Sequence, residues 1–353
     1  LTDCRPGKGL LAGPGRTGTM AAMNGNQDGR ADAAVTHLPT AGLVQEAAGT
    51  FGGPGTEDGG RPFAEPVLEW FGLVARELPW RRPEAGPWAV LVSEIMLQQT
   101  PVNRVLPVYE AWLARWPDPA ALAAEPSGEA VRMWGRLGYP RRALRLHQAA
   151  TAIVERHGGA VPDNLDDLLA LPGIGTYTAR AVTAFAFRQR QPVIDVNVRR
   201  LVARAIEGRA EGPAAVSRKD LALVADLLPA DAETAARASA AFMELGALVC
   251  VARAPRCVGC PVRERCAWLL AGSPPADGPA RKPQGYAGTD RQVRGRLLAV
   301  LREADGPVEA PLLDAVWDEP VQRDRALRGL LDDGLAVAIA PGVFALPGGT
   351  PAG

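Results

Sequence analysis

Four cysteines, Cys250, Cys257, Cys260 and Cys266, fall within residues 250–266 in the pattern C-x6-C-x2-C-x5-C. A segment that must bring four thiols together has little freedom left in how it folds. The chain opens with no n-region, h-region and cleavage-site pattern, and in that setting clustered thiols argue for a metal centre and against disulfides. Zinc ribbons use two C-x2-C knuckles, whereas this segment has one, which favours a [4Fe–4S] cluster. The remaining cysteine, Cys4, lies in a low-complexity tail and is read as a bystander.

The stretch LPGIGTYTARAVT at residues 171–183 is the second constraint. Pro172, Gly173 and Gly175 interrupt one helical pattern (residues 164–171), and a second resumes at Thr176, which predicts a helical hairpin. Glycine permits positive φ and close approach, so the amides of Gly173, Gly175 and Thr176 can face an anion at the second helix's N-terminus. A phosphate suits that place, although paired glycines also occur in ordinary helix connections.

Lys and Arg total 39 and Asp and Glu total 39, so the chain as a whole is not a basic nucleic-acid coat. Charge is uneven, however: residues 131–210 contain thirteen Arg against six acids. This local excess is either an electrostatic footprint for nucleic acid or a set of solvated helix faces. The length suggests about two domains, and no apolar run is long enough to span a membrane. The cytosol is the default expectation. Residues 1–61, rich in Gly, Ala, Thr and Pro without period, are expected to be disordered. The chain opens on Leu1, with Met20 or Met23 as a candidate start.

Helical spacing begins near Phe63, and a second helix is expected over residues 87–99, PWAVLVSEIMLQQ. Glu94 is an acid among apolar neighbours: it either faces solvent or, at the rim of an apolar pocket, has a raised pKa and serves as a general acid. Further helices follow to residue 137. The turn Gly138-Tyr139-Pro140-Arg141-Arg142 then sets an aromatic beside two guanidinium groups. That combination suits nucleic acid, while Tyr139 alone would also suit core packing. His147 has no partner at ligand spacing. In the segment VIDVNVRR, Asp195 or Asn197 is an N-cap, or Asp195 is a second carboxylate able to stabilise an oxocarbenium ion as a glycosidic bond breaks. Beyond a Pro/Gly/Ala linker, three helices and an alternating hairpin about Pro341-Gly342 suggest a winged-helix module. Its third helix carries Arg323, Arg325 and Arg328, partly offset by Asp324, Asp332 and Asp333, so the module either contacts duplex phosphates or packs onto the preceding lobes.

Together, the hairpin, SEIMLQQT at residues 93–100, the Gly138-Tyr139 turn, DVNVRR at residues 195–200 and the cysteine spacing resemble the adenine-specific mismatch DNA glycosylases, the MutY family, over about residues 63–270. The endonuclease III group shares the hairpin and the cluster spacing and is the main rival. Its bifunctional members carry a Schiff-base lysine at the position of Tyr177. No lysine lies between Lys8 and Lys219 here, so the amine for lyase chemistry is missing and the fit is to the monofunctional branch.

The resemblance implies an all-α, two-lobed helix-hairpin-helix DNA glycosylase fold. A six-helix barrel spans residues 87–191, and residues 62–86 join 192–271 in a lobe holding the [4Fe–4S] cluster. A linker (272–289) and the winged-helix-like module (290–348) follow. The implied substrate is double-stranded DNA with an A:8-oxoguanine or A:G mismatch, bound by a monomer in the cytoplasm, at the nucleoid in the bacterial manner. Adenine is rotated out of the duplex, Glu94 protonates it at N7, and ionised Asp195 stabilises the sugar cation. Tyr177 and Asn197 position sugar, water and carboxylates. Tyr139 wedges beside the oxidised guanine, Gln98 and Gln99 read base edges or fill the gap in the stack, and Gly173, Gly175, Thr176 and Arg141 hold DNA. Three departures stand out: Val196 where the family commonly has Gly, Pro140 where a second Tyr is usual, and a C-terminal module without the Phe-Ser-His loop of the nucleotide-hydrolase-like domain. A third reading is a non-catalytic iron–sulfur DNA-binding regulator, against which Glu94, Tyr177 and Asp195 are all acceptable catalytic types.

Overall fold

A computed structural model describes residues 62–276 and 285–349. The expected tail, with Cys4, and the middle of the expected linker lie outside the described residues. Helix α1 (Ala64–Val74) buries Val67 and Phe71 on one face. Helix α2 (Pro87–Met96) opens on a proline, whose missing N–H falls where no intrahelical partner exists anyway. It ends three residues before the expected Gln99, because Gln99 turns left-handed at φ 56° and the 3.6-residue period cannot pass through it.

Helices α3 (Val102–Arg115), α4 (Pro119–Ala123), α5 (Ser127–Trp134), α6 (Arg141–His157), α7 (Leu165–Leu169) and α8 (Thr176–Phe185) close with α2 around one core. The expected six-helix barrel is thus built from seven helical segments, two of them, α4 and α7, only five residues long. Each short helix is started by a side chain that accepts from an otherwise unpaired amide: Asp118 from Ala121 and Asn164 from Asp167. Trp112 packs edge-on to Trp116 and Trp134, with ring centroids 4.6 and 5.7 Å apart, and all three are fully buried.

A second core joins α1 to α9 (Val196–Ala205), α10 (Arg218–Leu227) and α11 (Ala232–Leu248), through residues such as Phe71, Leu201, Phe242 and Leu245. The cysteine loop follows α11 and is closed by the short α12 (Ala267–Leu270). The two lobes meet along a seam of small residues, Ala181 and Ala184 of α8 against Ala236 of α11, which lets the helices approach closely.

The C-terminal module comprises α13 (Asp290–Glu303), β1 (Val308–Glu309), α14 (Ala310–Asp314), α15 (Pro320–Asp332), β2 (Val337–Ala340) and β3 (Val343–Ala345). The hairpin turns at Pro341-Gly342 as the alternation suggests. The short strand β1, which the sequence reading lacked, adds to it in the antiparallel order β1-β3-β2. Two residues are too few for an alternation to show.

Of the two roles open to this module, the structure displays packing. Val293, Leu297, Leu298 and Leu301 of α13 share one core with the barrel. The Arg132 guanidinium donates to the carbonyls of Arg302 and Ala304, and Arg302 Nε donates to Val131 O at 2.9 Å. On α15, Arg323 pairs with Asp314 (2.9 Å) and Arg325 with Asp290 (2.6 Å), so two of its three arginines are engaged within the module. At the junction, Gly128 N donates to Pro347 O (2.8 Å), and a Cβ on Gly128 would stand 2.5 Å from that oxygen. Gly128→Ala is therefore expected to destabilise the protein by about 1–3 kcal/mol and to speed amide exchange in residues 343–347. Denaturant unfolding with hydrogen-exchange mass spectrometry checks both.

Candidate active site

The lobes face each other across a cleft of about 1150 Å³, lined by Glu94, Gln98, Tyr177, Asp195 and Asn197 among others. Glu94 is delivered by α2, which is buried around most of its circumference, and only 4% of the residue is exposed. The solvent-facing alternative for this acid is thereby removed. Tyr177, one residue into α8, donates its hydroxyl to Glu94 Oε2 at 2.9 Å. Burial drives the Glu94 carboxyl up to about 7; the Tyr177 bond opposes this, the charge of Asp195 adds to it, and Arg81 opposes it. Burial first, and then the two carboxylates, hold the Tyr177 phenol well above its ordinary value, so it stays a donor.

Asp195 caps α9. Its Oδ1 accepts from the amides of Asn197 (2.9 Å) and Val198 (2.7 Å), and its Oδ2 from Asn197 Nδ2 (2.7 Å). The N-cap and the cleft-facing carboxylate, alternatives in the sequence, are one residue in the structure. Burial raises its pKa while the Val198 and Asn197 bonds and the charge of Arg200 pull it back. Val196 sits at the first position of α9 without positive φ, so this backbone does not need the family's usual glycine. Asn197 is itself held: its Oδ1 accepts from Arg200 Nη2 (2.8 Å), and Arg200 also donates to Gly246 O and Cys250 O, both at 2.7 Å. Glycine at 246 is required by space, since a Cβ there would lie 2.7–2.8 Å from Asn197.

In the hairpin, Gly173 has φ 76° and its missing Cβ leaves room for the Arg145 side chain, 2.7 Å from where that atom would be. Gly175 offers close approach without positive φ. It is the N-cap of α8 in an extended conformation, with open space where a side chain would project. The amides of Gly173, Gly175 and Thr176 donate to no backbone carbonyl among the described residues, as an anion-binding helix N-terminus requires.

Cys250, Cys257, Cys260 and Cys266 are unpaired thiols lining one small cavity, walled by Leu201, Val249, Val262 and Leu269. Arg204 closes it from one side, with Nη1 3.6 Å from Cys250 Sγ and its guanidinium stacked 4.8 Å over Trp268. Burial pushes the Cys260 thiol up to about 12, against the Val262 amide and aided by the three neighbouring cysteines. No set of three His, Cys, Asp or Glu side chains among the described residues is arranged to hold a metal ion.

Not every expected residue reaches the cleft. Tyr139, Arg141 and Thr176 do not line it. Tyr139 is 51% exposed, which sets aside core packing, and Arg141 pairs with Asp333 of the C-terminal module at 3.2 Å. Several residues escaped the sequence reading. Glu244, buried on α11, accepts from Arg76 Nε (2.7 Å) and Arg81 Nη2 (2.9 Å) at the cleft wall; despite the burial, these arginines hold its carboxyl down to about 2. The available signal was the one that marked Glu94, an acid in an apolar helical run. Arg142 and Arg200 each stand beside another arginine, and nothing in the sequence separates the inward member of such a pair from the outward one.

A neutral carboxylic acid with a donor behind it, an ionisable carboxylate across the cleft and open amides at a helix N-terminus suit hydrolysis of a glycosidic bond in a phosphate-bearing substrate. The HhH-GPD superfamily of base excision DNA repair proteins matches residues 92–222. Among solved structures, the chain is similar to a thermostable thymine-DNA glycosylase (26% identity, 59% of this chain and 95% of that one, TM-score 0.55). A non-covalent endonuclease III–DNA complex (20% identity, 59% and 94%, TM-score 0.51) shares the fold. The adenine DNA glycosylases of Mycobacterium tuberculosis H37Rv and Mycolicibacterium smegmatis are each 55% identical to it over 283 residues, covering 80% of this chain and 92% and 95% of theirs. The chain belongs to the adenine DNA glycosylase family, hydrolases of N-glycosyl bonds that act on DNA in base excision repair.

Glu94 also makes a stability statement. Its folded pKa of about 7 stands above the ordinary 4.5, so its favourable contribution is fully present below 4.5 and lost as pH rises through about 7. Glu94→Gln is therefore expected to leave the melting temperature unchanged at pH 4.5 and to raise it at pH 8.5, by up to about 3 kcal/mol of stability. Thermal melts at the two pH values test this; an equal shift at both would contradict it.

Proposed function

We propose that this glycosylase removes adenine paired with 8-oxoguanine or guanine by hydrolysis alone, after rotating the adenine out of the duplex into the cleft. The observation that carries the reading is the Tyr177–Glu94 hydrogen bond facing Asp195 across that cleft. Glu94, protonated near neutral pH, delivers its proton to N7 of adenine as the bond to the sugar breaks, and its pKa near the working pH suits a general acid. Asp195, held by amide bonds and kept from sharing Glu94's proton by its own partners, stabilises the oxocarbenium-like sugar. Asn197 orients that carboxylate, with Arg200 fixing Asn197 in turn. The amides of Gly173, Gly175 and Thr176 receive a phosphate, and the empty face at Gly175 lets the backbone come close to it. Tyr139 enters the stack beside the opposite base, with Gln98 and Gln99 on the adenine side.

The four cysteines would hold a [4Fe–4S] cluster: thiols lining one cavity, Cys250 buried and the other three half-buried, do not ionise together without cationic charge among them, and iron would supply it. By ligating such a cluster, the four thiols would fix the path of the loop after α11. Arg200, which donates to Cys250 O, ties that path to Asn197 and Asp195.

Lyase chemistry finds no support, since the position of a Schiff-base lysine is occupied by Tyr177, whose oxygen is engaged with Glu94. Single-turnover reaction with an A:8-oxoguanine duplex is expected to release free adenine and leave an intact abasic strand. Strand scission by β-elimination, or borohydride-trapped enzyme on DNA, would sink the hydrolytic reading. Anaerobically purified protein is expected to be brown and to contain about four irons per chain; stoichiometric zinc without iron would sink the cluster.

A further inference from the structure

Two non-glycine residues beside the cleft hold left-handed backbones: Gln99 at φ 56° and Tyr139 at φ 47°. Both are exposed, and they lie in turns 40 residues apart in sequence, one after α2 and one before α6. Such conformations are disfavoured for L side chains and persist only where the surroundings over-determine them. The hub of those surroundings here is one side chain. Arg142, 6% exposed, donates from its guanidinium to the carbonyls of Ile95 (2.8 Å), Met96 (3.1 Å), Gln98 and Gly138 (3.0 Å) and to Thr100 Oγ1 (2.9 Å).

The two acceptors that matter most are Gln98 O and Gly138 O. They belong to the peptide groups that lead into Gln99 and Tyr139, so fixing them fixes the plane from which each unusual φ is measured. The same guanidinium lies 5.5 Å from the centre of the Tyr139 ring and 5.2 Å from that of Trp134. Trp134 Nε1 adds a second bond to Gly138 O (3.0 Å), and Thr100 Oγ1 reaches Leu137 O (3.2 Å), which closes the link between the turns. Removing a guanidinium from water is unfavourable unless its donors are satisfied, and a planar fork is what allows one group to serve carbonyls of two separate segments. The general-acid mechanism has no use for it.

We propose that Arg142 is a positioning residue that locks the Gln99 and Tyr139 turns together, so that the two side chains enter the duplex as one rigid wedge beside the extruded adenine. This deepens the function proposed above and rests on its reading of Tyr139. Arg142 touches no reacting atom; it sets how firmly the mismatch is told from paired DNA.

The test is a double-mutant cycle on Arg142→Lys and Tyr139→Ala, read as the affinity ratio between a duplex holding uncleavable 2′-fluoro-adenosine opposite 8-oxoguanine and the fully paired duplex. Melting temperature and visible absorption are followed in parallel. Tyr139→Ala is expected to lower the ratio about tenfold, the scale of one lost stacking contact. Arg142→Lys is expected to lower it comparably, and the double variant no further than about twofold beyond either, because the first acts through the second. Multiplying effects, or a ratio unmoved by Arg142→Lys while Tyr139→Ala lowers it, overturn the lock alone. A ratio unmoved by Tyr139→Ala overturns the wedge reading and the lock with it. Should Arg142→Lys fail to fold, Thr100→Val keeps the charge and deletes one acceptor of the fork. It is expected to lower the ratio in the same direction, and an unchanged ratio overturns the proposal.

Discussion

The buried contact between Tyr177 and Glu94 is the interaction on which the rest of this molecule turns. A carboxyl group held in α2 keeps its proton near neutral pH because its burial leaves little water to solvate the charge. The Tyr177 hydroxyl works against the rise in pKa, yet it fixes the carboxyl's orientation, and its own burial prevents it from ionising. Across the cleft, burial raises the Asp195 pKa as well, but the Val198 and Asn197 bonds and the charge of Arg200 pull it back. Asp195 accepts three hydrogen bonds where Glu94 accepts one, and that contrast in partners assigns counter-charge and acid.

Arginine does much of the internal tying. The excess of arginine over residues 131–210 admits a DNA footprint or solvated faces, but a good part of it points inward. Arg132, Arg142, Arg200 and Arg204 all donate to backbone carbonyls, joining module to barrel, turn to turn and cysteine loop to α9. A guanidinium with five donors can bridge several carbonyls at once, which an ammonium cannot do with fixed geometry. The charge that remains for DNA is correspondingly smaller than the sequence count.

Much of this was legible from residues alone. The hairpin, the four-cysteine loop, Glu94 and Asp195 stood out because each breaks a local pattern: glycines in a helical period, thiols in a cluster, acids among apolar neighbours. What escaped depends on direction rather than type. Position 142 next to 141, and 200 next to 199, are equivalent in a string; only the packed helices decide which guanidinium goes inside. Glu244 carried the same signal as Glu94, but its partners Arg76 and Arg81, more than 160 residues away, could not be read from it. The module's packing on the barrel stood as one of two alternatives, because an apolar face on α13 shows that something covers it but not what. The two glycines of the hairpin divide the two properties that the residue type offers, positive φ at Gly173 and open space at Gly175, and the sequence does not say which has which.

The dependence of single-turnover adenine excision on pH tests the central claim most directly. If burial of Glu94 sets a proton affinity near neutrality, the rate is flat at lower pH and falls about tenfold per pH unit above about 7. In Glu94→Gln the residual rate loses that inflection. A wild-type rate that stays constant from pH 6 to about pH 9, where a carboxyl with this affinity would be almost wholly ionised, would contradict the account.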